Sequence, residues 1–89
     1  MRRVIRSSPY ERAAARLLRP SVLLEIEESI AAEPERHPLA PGTGGFRKAR
    51  WRRPGGGKSG GVRVICYYLV RPDLIFLADL YPKNEKENL

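Results

Sequence analysis

The sequence predicts an α+β fold, a helical hairpin followed by an antiparallel sheet. Apolar residues recur at helical spacing through the first third, the period drops to two from Phe46 onward, and prolines and glycines collect between the two halves. With 89 residues there is room for one domain, residues 1–89, and a domain of this size buries only about 60–65% of its unfolded surface. A composition 42% apolar is globular, and the eight glycines and eight prolines punctuate it with turns.

Val4-Ile5 forms a short opening strand. Ser8-Pro9-Tyr10-Glu11 then has the form of a helix start, with Ser8 as cap, Pro9 at the first helical position and Glu11 at capping-box spacing. Tyr10, Ala13, Ala14, Leu17 and Leu18 make the apolar stripe of a first helix of about nine or ten residues that Pro20 ends. Ser21 caps a second helix whose Val22, Leu23, Ile26 and Ile30 face the core. Glu25, Glu27 and Glu28 lie mainly on the opposite side and suit the positive end of the helix dipole. Pro34, Pro38 and Pro41 close this half and lead into Gly42-Thr43-Gly44-Gly45, where no regular element persists.

Phe46 to Arg53 alternates Phe46, Lys48, Arg50 and Arg52 against Arg47, Ala49, Trp51 and Arg53, as a strand does. A five-glycine connection, Pro54 to Gly61, precedes a long strand, Val62 to Val70, rich in β-branched and aromatic residues. One face of that strand carries Arg63, Ile65, Tyr67 and Leu69. Arg71-Pro72-Asp73 reads as a turn and Leu74 to Tyr81 as a well-buried third strand, followed by a polar tail. The three strands form a meander whose helix-free face is open for work.

The net charge of +7 is unevenly placed. Met1 to Pro41 is nearly balanced, whereas Gly42 to Arg63 holds seven basic residues and no acidic one. A stretch of one sign focuses positive potential and attracts polyanions, since neutralising phosphates releases condensed counterions. The single Cys66 forms no internal disulfide and has no Cys or His at a metal-ligand spacing. No apolar stretch follows Met1-Arg2-Arg3 as in a signal peptide, and none is long enough for a membrane span. A cytoplasmic protein with no metal, no cofactor and no membrane partner is the expectation.

Two glycine clusters resemble nucleotide loops and fail. Gly57-Lys58-Ser59 lacks the earlier phosphate-loop glycine, since position 52 is Arg52, and Gly42-Thr43-Gly44-Gly45 meets Arg47 where the dinucleotide pattern needs glycine. His37, the only histidine, sits between Arg36 and Pro38 and reads as a loop surface residue. Ser7, Ser8 and Ser21 read as turn or capping residues. What remains is a basic face: Lys48 and Arg50 share one side of a strand, and Arg63 joins them from the next. Like charges so placed repel, by a few tenths to about 1 kcal/mol per close pair, and an external polyanion is the simplest counterpart. Arg47, Arg52, Arg53 and Lys58 extend this RNA-binding set, Lys58 as either a mobile phosphate contact or a solvating charge. Trp51 and Tyr67 either stack bases or pack within the sheet.

Three collinear blocks then carry a family resemblance. Pro41-Gly42-Thr43-Gly44-Gly45-Phe46-Arg47-Lys48-Ala49-Arg50-Trp51, Gly57-Lys58-Ser59-Gly60-Gly61-Val62-Arg63-Val64-Ile65 and Tyr81-Pro82-Lys83-Asn84-Glu85 resemble the RelE/HigB-type toxins of type II toxin–antitoxin systems, over residues 41 to 85. The resemblance implies a RelE-like fold and, as in the best-known members, a ribosome-dependent mRNA interferase that enters the A site and cuts the bound message. It implies silencing by a cognate antitoxin, often with a DNA-binding domain, through which alone operator DNA is met. Lys48 and Arg50 match the paired basic positions of the family's first long strand, Arg63 the arginine of the next, and Lys83 the basic residue opening the terminal motif. Asn84 departs from the arginine or histidine of several members.

RNA supplies its own nucleophile, the 2′-hydroxyl, so the implied reaction needs a proton-transfer group and charge stabilisation at phosphorus. Lys48 or Lys83 suits the first role, if neighbouring cations depress a lysine pKa, and the planar guanidinium groups of Arg50 and Arg63 the second. Two other readings stand beside this one: a ParE-like gyrase poison, and a non-catalytic basic module that binds RNA or DNA without cutting.

Overall fold

The computed structural model describes residues 2–52 and 61–83. Within them the chain runs β1 (Arg3–Arg6), α1 (Ser8–Leu17), α2 (Pro20–Ala32), β2 (Arg47–Arg52), β3 (Gly61–Leu69) and β4 (Leu74–Pro82). The four strands form one mixed sheet in the order β1-β4-β3-β2. The expected antiparallel meander is present, β2 against β3 and β3 against β4. To it β1 adds a fourth strand, parallel to β4, with Val4 opposite Ile75 and Ile5 opposite Phe76. The first and second strands in sequence therefore lie at opposite edges, and the helical hairpin spans the sheet between them.

Helix α1 starts one residue before the sequence pattern suggests. Ser7, not Ser8, is the N-cap: its Oγ accepts the Tyr10 backbone N–H at 3.1 Å and donates to the Ala78 carbonyl at 2.6 Å. The second bond ties the helix start to β4, a contact that local spacing cannot reveal. The first helix stops at Leu17, short of Pro20 as the pattern suggests, and Pro20 also opens the second, where its fixed φ suits the first turn. Arg19 is the cap residue and makes no side-chain capping bond, so Ser21 is not the cap. The first turn of α2 consequently holds no acid, and Glu25, Glu27 and Glu28 stand too far along to meet the dipole.

Tyr10, Ala13, Ala14, Ile26 and Ile30 from the helices meet Ala49, Val62, Val64, Cys66, Ile75, Leu77 and Leu80 from the sheet in one core. Each fully buried Ile, Leu or Val contributes about 1.5–3 kcal/mol. Glu27 is in this interior and not on the polar face, being 8% exposed. Its carboxylate accepts from the Tyr10 hydroxyl at 2.8 Å and from both the Nε and a terminal nitrogen of Arg6, the Nε contacts being 3.0 and 3.2 Å. The pattern misplaced Glu27 because a carboxylate can be buried once two other elements supply its donors. The resulting triad joins β1, α1 and α2. Burial and the Glu27 carboxylate hold the Tyr10 hydroxyl far above the usual tyrosine range.

The segment after α2 is more ordered than its prolines and glycines suggest. Leu39 bridges Arg47, the Ala40 N–H donates to the Phe46 carbonyl at 2.8 Å, and the Lys48 N–H donates to Pro38 at 3.0 Å. Residues 38–40 thus run beside the start of β2, and the chain reverses through Gly42, Gly44 and Gly45, all at positive φ. At Gly45, φ +115°, an added Cβ would lie 3.1 Å from the Tyr67 ring, so glycine serves both the turn and its packing. The turn at 71–73 ends on Asp73, φ 67°, whose carboxylate accepts from Tyr68 at 2.9 Å and pairs with Arg2 at 3.1 Å.

Candidate functional site

The sheet face turned away from α1 carries the predicted basic residues because alternation on β2 and β3 sends the apolar set the other way. Ala49, Val64 and Cys66 are core residues, which places Lys48, Arg50 and Arg63 on the opposite face. Arg50 is directly opposite Arg63 across β2 and β3, and Arg63 is directly opposite Tyr81 across β3 and β4. Beyond this row, Arg52 faces Gly61, and the Lys83 N–H donates to the Gly61 carbonyl at 2.9 Å, carrying the β3–β4 ladder to the end of β4. These pairings put Arg50, Trp51, Arg52, Gly61, Arg63 and Lys83 around one open pocket of about 320 Å³.

Gly61 makes the close approach possible. A Cβ there would stand 3.1 Å from the Trp51 carbonyl and 3.6 Å from a terminal nitrogen of Arg63. Any larger residue would force the strands or the guanidinium aside at the mouth of the pocket.

Arg63 is less open than an outward-facing residue on a bare sheet would be, at 7% exposed, and Ile65 and Tyr81 on the same face are buried too. Arg63 belongs to a central strand, with Arg50 on one flank and Tyr81 on the other, so the helix-free face is a walled basin there and not a flat platform. A guanidinium at the wall of such a basin meets an anion with less competing water than one on an open surface.

Other members of the predicted set are placed differently. Lys48 is two residue pairs further along β2, opposite Ile65, and lines a separate pocket with Arg50. Arg47 folds back on the preceding loop, donating to the carbonyls of His37 at 2.7 Å and Glu35 at 3.3 Å, where it fastens the chain. Tyr67 meets Phe46 edge to face, with ring centroids 5.0 Å apart, and the backbone of Gly45 as well. Its ring is engaged in packing. Trp51 is half-buried and borders both pockets. Arg53, Lys58, Asn84 and Glu85 lie outside the described residues.

The ion pairs among the described residues, Arg2 with Asp73, Arg6 with Glu27 and Arg36 with Glu33, leave Arg50 and Arg52 without a carboxylate partner there. Arg63 donates to the Val62 carbonyl at 3.5 Å, while the exposed Arg50 opposite it and Arg52 beside them bring positive potential to the rim of the basin, which suits an anion. Among the described residues no group of three or more His, Cys, Asp or Glu is arranged to hold a metal ion. No described helix is long and apolar enough to cross a membrane. The Cys66 thiol is buried behind β2, and burial raises its pKa to about 11, which suits a packing residue and not a nucleophile.

One residue of interest escaped the sequence reading. His37 is half-buried, not a free surface residue, and lies beside Lys48 and Arg50 at the edge of β2. Its loop position hid this, because the approach depends on the pairing of residues 38–40 with β2. The chain matches no protein-family model.

Proposed function

We propose that this protein is the toxin of a type II toxin–antitoxin pair, a RelE/HigB-like endoribonuclease that cleaves messenger RNA in the ribosomal A site. The observation that carries the reading is the cross-strand row of Arg50 and Arg63 with Arg52 and Lys83 around a single basin. Arg50 and Arg52 come from β2, Arg63 from β3 and Lys83 from just past the end of β4, and Arg50, Arg63 and Lys83 fall one in each of the three blocks that resemble the toxin family. A phosphodiester in the basin would be gripped by the paired N–H groups of Arg50 and Arg63.

In the proposed reaction the ribose 2′-oxygen attacks the adjacent phosphorus. The O2′–P bond forms, the P–O5′ bond breaks, and the products are a 2′,3′-cyclic phosphate and a 5′-hydroxyl. Lys83, at the basin rim, or Lys48, beside Arg50, transfers the proton from the 2′-hydroxyl towards the leaving 5′-oxygen. Arg50 and Arg63 stabilise the charge that builds on the equatorial oxygens. A cognate antitoxin with acidic side chains would silence the protein by covering this face.

Induced expression followed by mapping of message 5′ ends tests the proposal. Cuts within translated codons that vanish when initiation is blocked are expected, and combined Lys48→Ala and Arg63→Ala substitution should abolish both cutting and growth arrest. Arrest with intact messages would refute the nuclease reading. Loss of DNA supercoiling in those cells would favour a gyrase poison, and RNA retained on the protein without cleavage would favour a binding module.

A further inference from the structure

A second pocket, of about 250 Å³, lies on the other side of β2 from the basin, between that strand and the 36–38 connection. Residues 38–40 cover only the start of β2, and the pocket opens where that cover ends. Arg36 and His37 approach from the connection, Lys48, Arg50 and Trp51 from the strand, and Ser29 from α2. Arg50 and Trp51 border both pockets, so a wall one strand wide separates them.

We propose that this pocket is a second nucleotide subsite, taking the nucleotide next to the one whose phosphate sits between Arg50 and Arg63, so that a single RNA strand crosses β2. The inference rests on the RNA reading above and assigns the path of the strand. The two kinds of lining match the two parts of a nucleotide. Arg36, Lys48 and Arg50 supply positive charge for a phosphate. The Arg36–Glu33 pair is long, 3.7 Å, with both side chains 68% exposed, so Arg36 can exchange that partner for a phosphate at little cost. Trp51 packs partly against the core and is half-buried, so the part of it that lines the pocket is what a base can meet, and indole–base stacking tolerates any base.

His37 completes the wall as a neutral ring. Its Nε2 is buried without a hydrogen-bond partner among the described residues, an arrangement that disfavours the doubly protonated imidazolium. Burial, and then the nearby cations Arg36 and Arg47, lower its pKa, while Glu33 opposes them. A neutral imidazole closes the wall without adding to the crowd of cations. A base-paired helix does not fit, because bases reach such a pocket only when splayed out from a single strand.

The test uses the full chain and a tetranucleotide of 2′-O-methyl uridine, which lacks the free 2′-hydroxyl and so is not cut. His37 is the only histidine, so the NMR spectrum holds a single imidazole Cε1–H signal. Saturating tetranucleotide should shift both that signal and the Gly61 amide in the basin. Arg36→Ala, at an exposed position that leaves the fold intact, should weaken binding about three- to tenfold and lower the salt slope by about 0.7, the loss of one single-strand phosphate contact. A shifted Gly61 amide with an unmoved His37 signal, or with unchanged Arg36→Ala affinity, overturns the subsite and leaves the basin reading standing. No shift at either residue overturns the RNA reading and the subsite together.

Discussion

Glu27→Ala should unfold this protein more readily than any single change on its basic face. The carboxylate is nearly sealed from water and serves two donors, the Tyr10 hydroxyl at 2.8 Å and the Arg6 guanidinium. Tyr10 is 0% exposed, so its hydroxyl would keep no acceptor, a loss of about 1–3 kcal/mol. The Arg6 side chain is 42% exposed and can turn to water, which limits its share to about 1 kcal/mol. The vacated methylenes add about 1 kcal/mol of lost packing. Relief from burying a charge offsets part of this, and the net expectation is about 2–4 kcal/mol. Urea denaturation followed by circular dichroism reads it as a lower midpoint at unchanged slope. In the same assay Tyr10→Phe, which keeps the Arg6 pair, should cost only about 0.5–1.5 kcal/mol. The two changes should be non-additive, because both remove the same bond. A Glu27→Ala loss below about 1 kcal/mol, or strict additivity, would refute the claim that this triad holds β1, α1 and α2 together.

Three further outcomes follow from particular contacts. Ser7→Ala should cost about 1 kcal/mol in urea denaturation and Ser8→Ala almost nothing, because Ser7 is the cap that reaches the Tyr10 N–H. Gly61→Ala should cost about 1–3 kcal/mol through the clash with the Trp51 carbonyl, and RNA affinity measured by fluorescence anisotropy should fall with it as Arg63 is displaced. The Cys66 thiol, pushed up by burial to about 11 from its ordinary value near 9.0, gives a signed pH effect. The folded state holds this proton more tightly than the unfolded chain, so the contribution is complete below pH 9 and is lost as pH rises from 9 to 11. Denaturation midpoints across that window should fall less steeply in Cys66→Ala, and an unchanged slope would remove Cys66 as the cause. Tyr10, also raised, adds its own loss above the usual tyrosine range, near pH 10.

Much of the fold was legible from local periodicity. The stripe Tyr10, Ala13, Ala14, the alternation of Lys48 and Arg50 against Ala49, and the turn at Asp73 each depend on residues a few positions apart, and the described structure follows them. The same alternation put Arg50 and Arg63 on one face, because the side of a sheet is settled by parity alone. Periodicity says which way a side chain points, not what meets it there. The parallel pairing of β1 with β4 brings together positions about seventy residues apart. Ser7 and not Ser8 caps α1 because its hydroxyl also reaches Ala78. Glu27 is buried because Arg6 and Tyr10 converge on it, and His37 sits near Lys48 because residues 38–40 pair with β2. The sequence by itself therefore determined elements, faces and the basic character of one of them. Tertiary structure decided which charges are sheltered, which are paired and which share a pocket, since burial and partnership depend on segments that only long-range packing brings together.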